Sequence, residues 1–240
     1  MKQRIFFGSG CVIVITIIIY ISLNSFNKNS SEVSIAIDLT DSLRPDPNGM
    51  EIYSALDLDK YKYAKIKIKI NTFSNFDYNS SSTLKLPAKF LLLSNPEERD
   101  SAIKAFKDCF CTKLDGVSLQ AKGLPKSSIY GPMIRDLNRL ARSTAENKIA
   151  VYFTDCRENS SIFSAYNKNH LDSLKVNPKK VRELFEEVEK PNNLNGLRIF
   201  LICNPTSKEE NNGFELMSKL FKQILIDAGA KVYVGADLNF

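Results

Sequence analysis

The sequence predicts an α/β fold: a doubly wound, mostly parallel sheet with helices on both faces and one antiparallel strand near its edge, behind an N-terminal transmembrane helix. Three observations predict it. Three short apolar runs, Ser34–Asp38, Lys148–Asp155 and Leu197–Asn204, each stop at a polar residue, as strands buried on both faces do when they reach the sheet edge. From Asn95 onward, strand-like and helix-like segments alternate, the pattern of parallel strands joined by crossover helices. At the N-terminus, Lys2 and Arg4 precede Ile5–Leu23, an uncharged run rich in Ile, Val and Phe.

That run is long enough to cross a bilayer, which takes about 20 apolar residues. A secretory signal has a shorter apolar core and a small-residue cleavage site, so residues 1–23 read as an uncleaved anchor in preference to a cleaved signal. The basic residues ahead of it place the N-terminus in the cytoplasm and the rest outside, in a periplasm or at a cell surface. Residues 24–31 (Asn-Ser-Phe-Asn-Lys-Asn-Ser-Ser) form a polar tether. Residues 32–240 suit one domain with a full core. The chain carries a formal net charge of +6. Lys2, Arg4 and Lys28 supply three of those charges from the anchor and tether, so the domain is only weakly basic and nucleic acid is not an expected partner.

Within the domain, Arg44–Gly49 is turn-rich and Met50–Leu58 reads as a short helix. Tyr63–Phe73 alternates, with Ile66, Ile68 and Ile70 on one face and Lys65, Lys67 and Lys69 on the other. It reads as a strand with one buried face and a lysine face that is solvated or guards against edge pairing. Thr83–Leu93 is its hairpin partner at the sheet edge. Asn95-Pro96-Glu97-Glu98 opens a helix with Ala102, Ile103, Phe106 and Phe110 turned inward. Ser127 and Ser128 are expected to cap the next helix, whose inward stripe is Ile134, Leu137, Leu140 and Ala141. Cys156–Val176 is a long loop. Asn177-Pro178 opens a helix burying Val181, Leu184, Phe185 and Val188. Phe214–Ala228 is an amphipathic helix stopped by Gly229, and Lys231–Gly235 is the last strand.

The candidate site lies at strand ends. Asp38-x-Thr40-x-Ser42 places a carboxylate and two hydroxyls on one turn beyond the first strand, at the edge where open α/β sheets bind ligands. Asp155 ends a second strand, and Ser128, or its neighbour Ser127, sits in the loop between them. Hard divalent cations favour such oxygens, and Mg²⁺ takes few carboxylates and keeps several waters. Together these residues resemble the metal-ion-dependent adhesion site of the von Willebrand factor type A (vWA) domain family. Its pattern is Asp-x-Ser-x-Ser, a Thr in a second loop and an Asp after a later strand. Thr40 replaces a Ser, Ser128 stands where Thr is usual, and Cys156 follows Asp155 where Gly is common. The resemblance spans Glu32 to Phe240 and includes the order of elements. It implies a Rossmann-like fold and metal ligation by Asp38, Thr40, Ser42, Ser128 and Asp155. The ion would be Mg²⁺, or alternatively Mn²⁺ or Ca²⁺, with an open position for a carboxylate from a protein partner.

Catalysis is not expected. The chain lacks a Gly-x-Ser-x-Gly elbow, a phosphate-binding loop and a dinucleotide fingerprint. Position +2 from Asp38 is Thr40, where an aspartyl phosphatase needs Asp. The single histidine, His170, lies in the long loop. A metal-free structural role in an envelope assembly and, behind it, a metal-dependent hydrolase using Asp38 and Asp155 are the alternatives. Four cysteines lie outside the anchor. Cys109 and Cys111 are too close to bond each other easily, so a bridge from one of them to Cys156 or Cys203 is the expected pairing, unless Cys203 is simply a buried thiol.

Overall fold

The computed structural model describes residues 30–40, 47–60, 62–73, 80–90, 94–119, 128–205 and 207–238. Among them, no helix is long and apolar enough to cross a membrane; the anchor expected at residues 1–23 and most of the tether lie outside them, as does Ser42.

Six strands form one sheet: β1 (Ser31–Asp38), β2 (Ile66–Phe73), β3 (Ser81–Leu86), β4 (Asn147–Phe153), β5 (Leu197–Ile202) and β6 (Lys231–Gly235), in the order β3-β2-β1-β4-β5-β6. All pairs are parallel except β2–β3, which makes β3 the antiparallel edge strand. This is a Rossmann-like α/β sheet, and its strand order reverses between β1 and β4, where such sheets open a crevice.

Side chains alternate across the sheet with period two. Val33, Ile35 and Ile37 of β1 with Ile66, Ile68 and Ile70 of β2 face one way. They are covered by helices α1 (Gly49–Ala55) and α2 (Pro96–Ser118). Ala36, Ala150, Tyr152, Ile199 and Leu201 face the other way, under α3 (Tyr130–Ala141), α4 (Lys168–Val176), α5 (Pro178–Val188) and α6 (Lys208–Asp227).

The lysine row is solvated only in part: Lys65 is exposed, whereas Lys67 and Lys69 of β2 are half-buried. Because β3 is the edge, β2 is interior, and its second face lies under α3. Lys67 pairs with Glu32 at 2.9 Å and Lys69 with Asp136 at 3.5 Å. Arg139 of α3 binds both Glu32 and Asp136. Ser34 donates to Asp136, Asn71 to Ser34, and the Tyr152 hydroxyl to Asp136. The helix thus rests on a connected polar layer whose charges are paired, the condition under which burying them is tolerable.

On the opposite face, Arg99 of α2 is 1% exposed. It donates to the carbonyls of Lys62, Pro87 and Ala64 at 2.7–2.9 Å, fastening the helix to both ends of the β2–β3 hairpin. Phe106, Phe110 and Leu114 complete the inward stripe, while Ala102 and Ile103 are half-buried. Helices α1 and α2 meet where Gly49 faces Cys111. A Cβ on Gly49 would come within 2.8 Å of the Cys111 Sγ and 3.0 Å of its Cα. Gly49→Ala should therefore push the helices apart and cost about 1–3 kcal/mol, the usual cost of overpacking. A melting temperature equal to that of the parent would refute this.

Several boundaries differ from the pattern-based expectation. The β3 strand ends at Leu86 because Pro87 cannot extend the ladder. The second half of the Cys156–Val176 loop is the helix α4, whose N-cap Asn167 accepts from Asn169 N. In α5, Val181 and Phe185 are buried, whereas Leu184 is on the outer side. Helix α6 begins at Lys208, not Phe214, behind a capping box of Ser207 and Glu210. Among the described residues the expected disulfide is absent: Cys109, Cys111, Cys156 and Cys203 are thiols. The sheet stands between the candidates, with Cys111 packed on the α2 side and Cys156 and Cys203 buried on the other.

Candidate functional site at the strand switch point

Asp38 ends β1, and the β1–β4 register sets Ile37 beside Phe153, so Asp38 and Thr154 are neighbours across the switch point. Both are fully buried. The Asp38 Oδ1 accepts from Thr40 N at 2.9 Å and from Thr40 Oγ1 at 2.5 Å, a side-chain turn typical of Asp at a strand end. Its Oδ2 accepts from Thr154 Oγ1 at 2.9 Å. Thr154 in turn accepts from Cys156 N at 3.0 Å. Two hydroxyls therefore donate hydrogen bonds to one carboxylate, and the Thr40 oxygen keeps lone pairs for another ligand.

Asp155 follows Thr154 and is partly exposed; its Oδ1 accepts from Arg157 N at 2.8 Å. The turn continues through Cys156 at φ 58°, a left-handed conformation that glycine adopts without strain and other residues rarely take. That is the physical reason for a glycine at such a position, and here a buried cysteine tolerates it because the surrounding core fixes the backbone.

Ser128 is 9% exposed and directly precedes Ile129, the N-cap of α3. Ser128 does not cap this helix in the way the sequence pattern suggests, since Ile129 is the N-cap residue with no side-chain cap bond; Ser127 lies outside the described residues. The cap comes from Glu158, whose Oε2 accepts from Ile129 N at 2.8 Å and Tyr130 N at 2.9 Å. A carboxylate at this end also matches the helix dipole. Glu158 is 1% exposed. Burial pushes its carboxyl above the ordinary glutamate value, the two amides pull it back, and the Asp38 charge raises it further. Glu158 thus ties the loop after Asp155 to the helix after Ser128, close to Asp38.

Of the residues singled out from sequence, Asp38, Thr40, Ser128 and Asp155 lie on turns or helix ends around this edge. Thr154 and Glu158 are the two participants that motif spacing missed. Thr154 was legible as a hydroxyl opposite Asp38 once the strands were paired; Glu158 had no local signal, since its partners lie 28 and 29 residues away. The donors are all oxygen, which suits a small hard cation. Among the described residues, no group of three or more His, Cys, Asp or Glu gathers in a metal-binding arrangement. His170 is half-buried and structural: its Nδ1 accepts from Ser164 N at 2.9 Å and its ring lies on Phe163.

No family model matches the chain, and no curated protein matches it either. Among solved structures, it is similar to the conserved hypothetical protein BatB from Bacteroides thetaiotaomicron. The match has 13% identity and a TM-score of 0.36, covering 86% of this chain and 90% of that one. A likeness this low carries no argument about the site.

Proposed function

We propose that this chain is a membrane-tethered, extracytoplasmic vWA-like domain that binds a divalent cation, Mg²⁺ or a similar ion, and through it a carboxylate of a protein partner. Asp38, Thr40, Ser42, Ser128 and Asp155 are the proposed ligands, and the domain catalyses no reaction. The observation that carries this reading is Asp38. It is a fully buried carboxylate at the strand switch point, already oriented by the hydroxyls of Thr40 and Thr154. Such pre-orientation is what a metal site needs from its surroundings.

A second reading draws on the same bonds. Asp38 accepts from three donors of the chain itself, so it can equally serve as an internal brace in a metal-free scaffold of an envelope assembly. Calorimetric titration of the full chain in detergent with Mg²⁺ and Mn²⁺, beside Asp38→Ala, separates the two. Under the first reading the parent binds saturably and the variant shows at least a hundredfold weaker binding. Absence of binding by a folded parent would favour the scaffold.

A further inference from the structure

Beside the strand-end site runs a second feature that the metal reading does not use. A groove of about 780 Å³ separates α4 from α6, with Leu171 and Leu216 on its floor and Lys168 and Lys219 on its rims. Arg157, two residues after Asp155, also lines it.

Arg157 is held in an unusual way. Its guanidinium lies 4.0 Å from the centre of the Tyr166 ring, a cation–π contact. Its stem passes close to Gly213 of α6, where a Cβ would come within 3.3 Å of the Arg157 Nε. The arginine is therefore held against both a ring and a helix backbone. Among the described residues its side chain makes no ion pair or hydrogen bond, and its Nε is buried with no partner. Several other buried or half-buried charges among the described residues are held by opposite charges. Glu32, Asp136 and Arg139 are, and so is Arg182, which binds Glu186 and Asp227. A planar fork fixed in place without an acceptor is pre-organised for a carboxylate, which it can take through two parallel bonds.

The rest of the groove fits an extended peptide. Asp172 pairs with Lys175 at the rim, and Glu215 accepts from Asn211. With Arg157, Lys168, Lys175 and Lys219 against Asp172 and Glu215, the lining carries a net charge of 4 − 2 = +2. Tyr166, 58% exposed, and the two leucines offer apolar surface between the charges. We infer that the α4–α6 groove binds an acidic peptide segment of a partner protein, with Arg157 clamping one carboxylate and Tyr166, Leu171 and Leu216 receiving an apolar side chain. Recognition of acidic motifs by a fixed arginine is a common mode of peptide binding, and the volume is that of an ordinary ligand site. The inference goes beyond the metal reading and does not depend on it.

The test is selection of a random twelve-residue peptide library on the full chain in detergent with EDTA present, which silences any cation site. The enriched peptides are then measured by fluorescence anisotropy. The expected result is an acidic consensus with an apolar residue. Its binding should weaken at least tenfold in Arg157→Gln and in the surface variants Lys168→Glu and Lys219→Glu, and equally when the peptide's acids are changed to amides. Should Arg157→Gln melt, the two lysine variants carry the test, since both side chains are exposed. No enrichment over a protein-free surface, a consensus without acids, or affinities within twofold in the lysine variants would each overturn the inference. Because EDTA is present throughout, failure here leaves the cation titration unaffected, and the converse holds.

Discussion

Glu32→Gln is expected to cost about 2–3 kcal/mol at neutral pH, toward the lower end for breaking a buried ion pair. Glu32 is buried beneath α3, where Lys67 and Arg139 reach it at 2.9 and 2.6 Å and the Ser143 hydroxyl at 2.7 Å. The amide would leave Lys67 without its carboxylate and Arg139 with Asp136 alone. The discount below a fully buried pair reflects the 30% and 28% exposure of the lysine and arginine side chains. Burial by itself would raise the Glu32 carboxyl, but Ser143, Lys67 and Arg139 together hold it below the ordinary 4.5. A carboxyl lowered in the folded state binds fewer protons there than in the unfolded chain. Its contribution is therefore complete above about pH 4.5 and disappears as the pH falls through the folded value. Chemical denaturation at pH 7 and at pH 3 should show the gap between parent and variant closing in acid. A gap of constant size at both pH values would show that Glu32 acts through packing and not through charge.

At the other end of the sheet, Glu158→Ala should destabilise by about 2–4 kcal/mol, because it strands two buried amides, Ile129 N and Tyr130 N, each worth about 1–3 kcal/mol when left unbonded. Glu158→Gln should lose under about 1 kcal/mol, since its carbonyl oxygen can accept the same two bonds without the burial penalty carried by a charge. The pair of variants separates capping from charge. Equal losses in both would mean that the negative charge, and not the acceptor, holds the start of α3. The alanine variant should also loosen the Ser128 end of that helix, and faster amide exchange at Tyr130–Ile134 would report it.

Much of this molecule is local in its coding. Period-two isoleucines in β2, Pro96 after Asn95, the terminal Gly229 and the polar stops after β1, β4 and β5 depend on neighbours a few residues away, so patterning alone predicted the strands, most helices and the antiparallel edge. The strand-end location of Asp38, Thr40 and Asp155 followed from the same patterning, because a parallel sheet brings the ends of its strands to one edge.

Tertiary structure decided what depends on partners distant in sequence. The lysines of β2 read as a wet face because nothing nearby says that α3 will cover them; their acceptors, Glu32 and Asp136, lie 35 and 67 residues away. The cysteines looked ready to pair because spacing does not reveal which side of the sheet each occupies. Nothing local marks Arg99 within its helix, yet three carbonyls from outside that helix surround it. The same holds for Glu158, a cap supplied from another loop, and for Arg157, whose ring and glycine neighbours come from separate elements. Hydrophobic periodicity specifies which faces are buried; it does not specify which polar groups will meet there, since those pairings exist only once the chain has closed on itself.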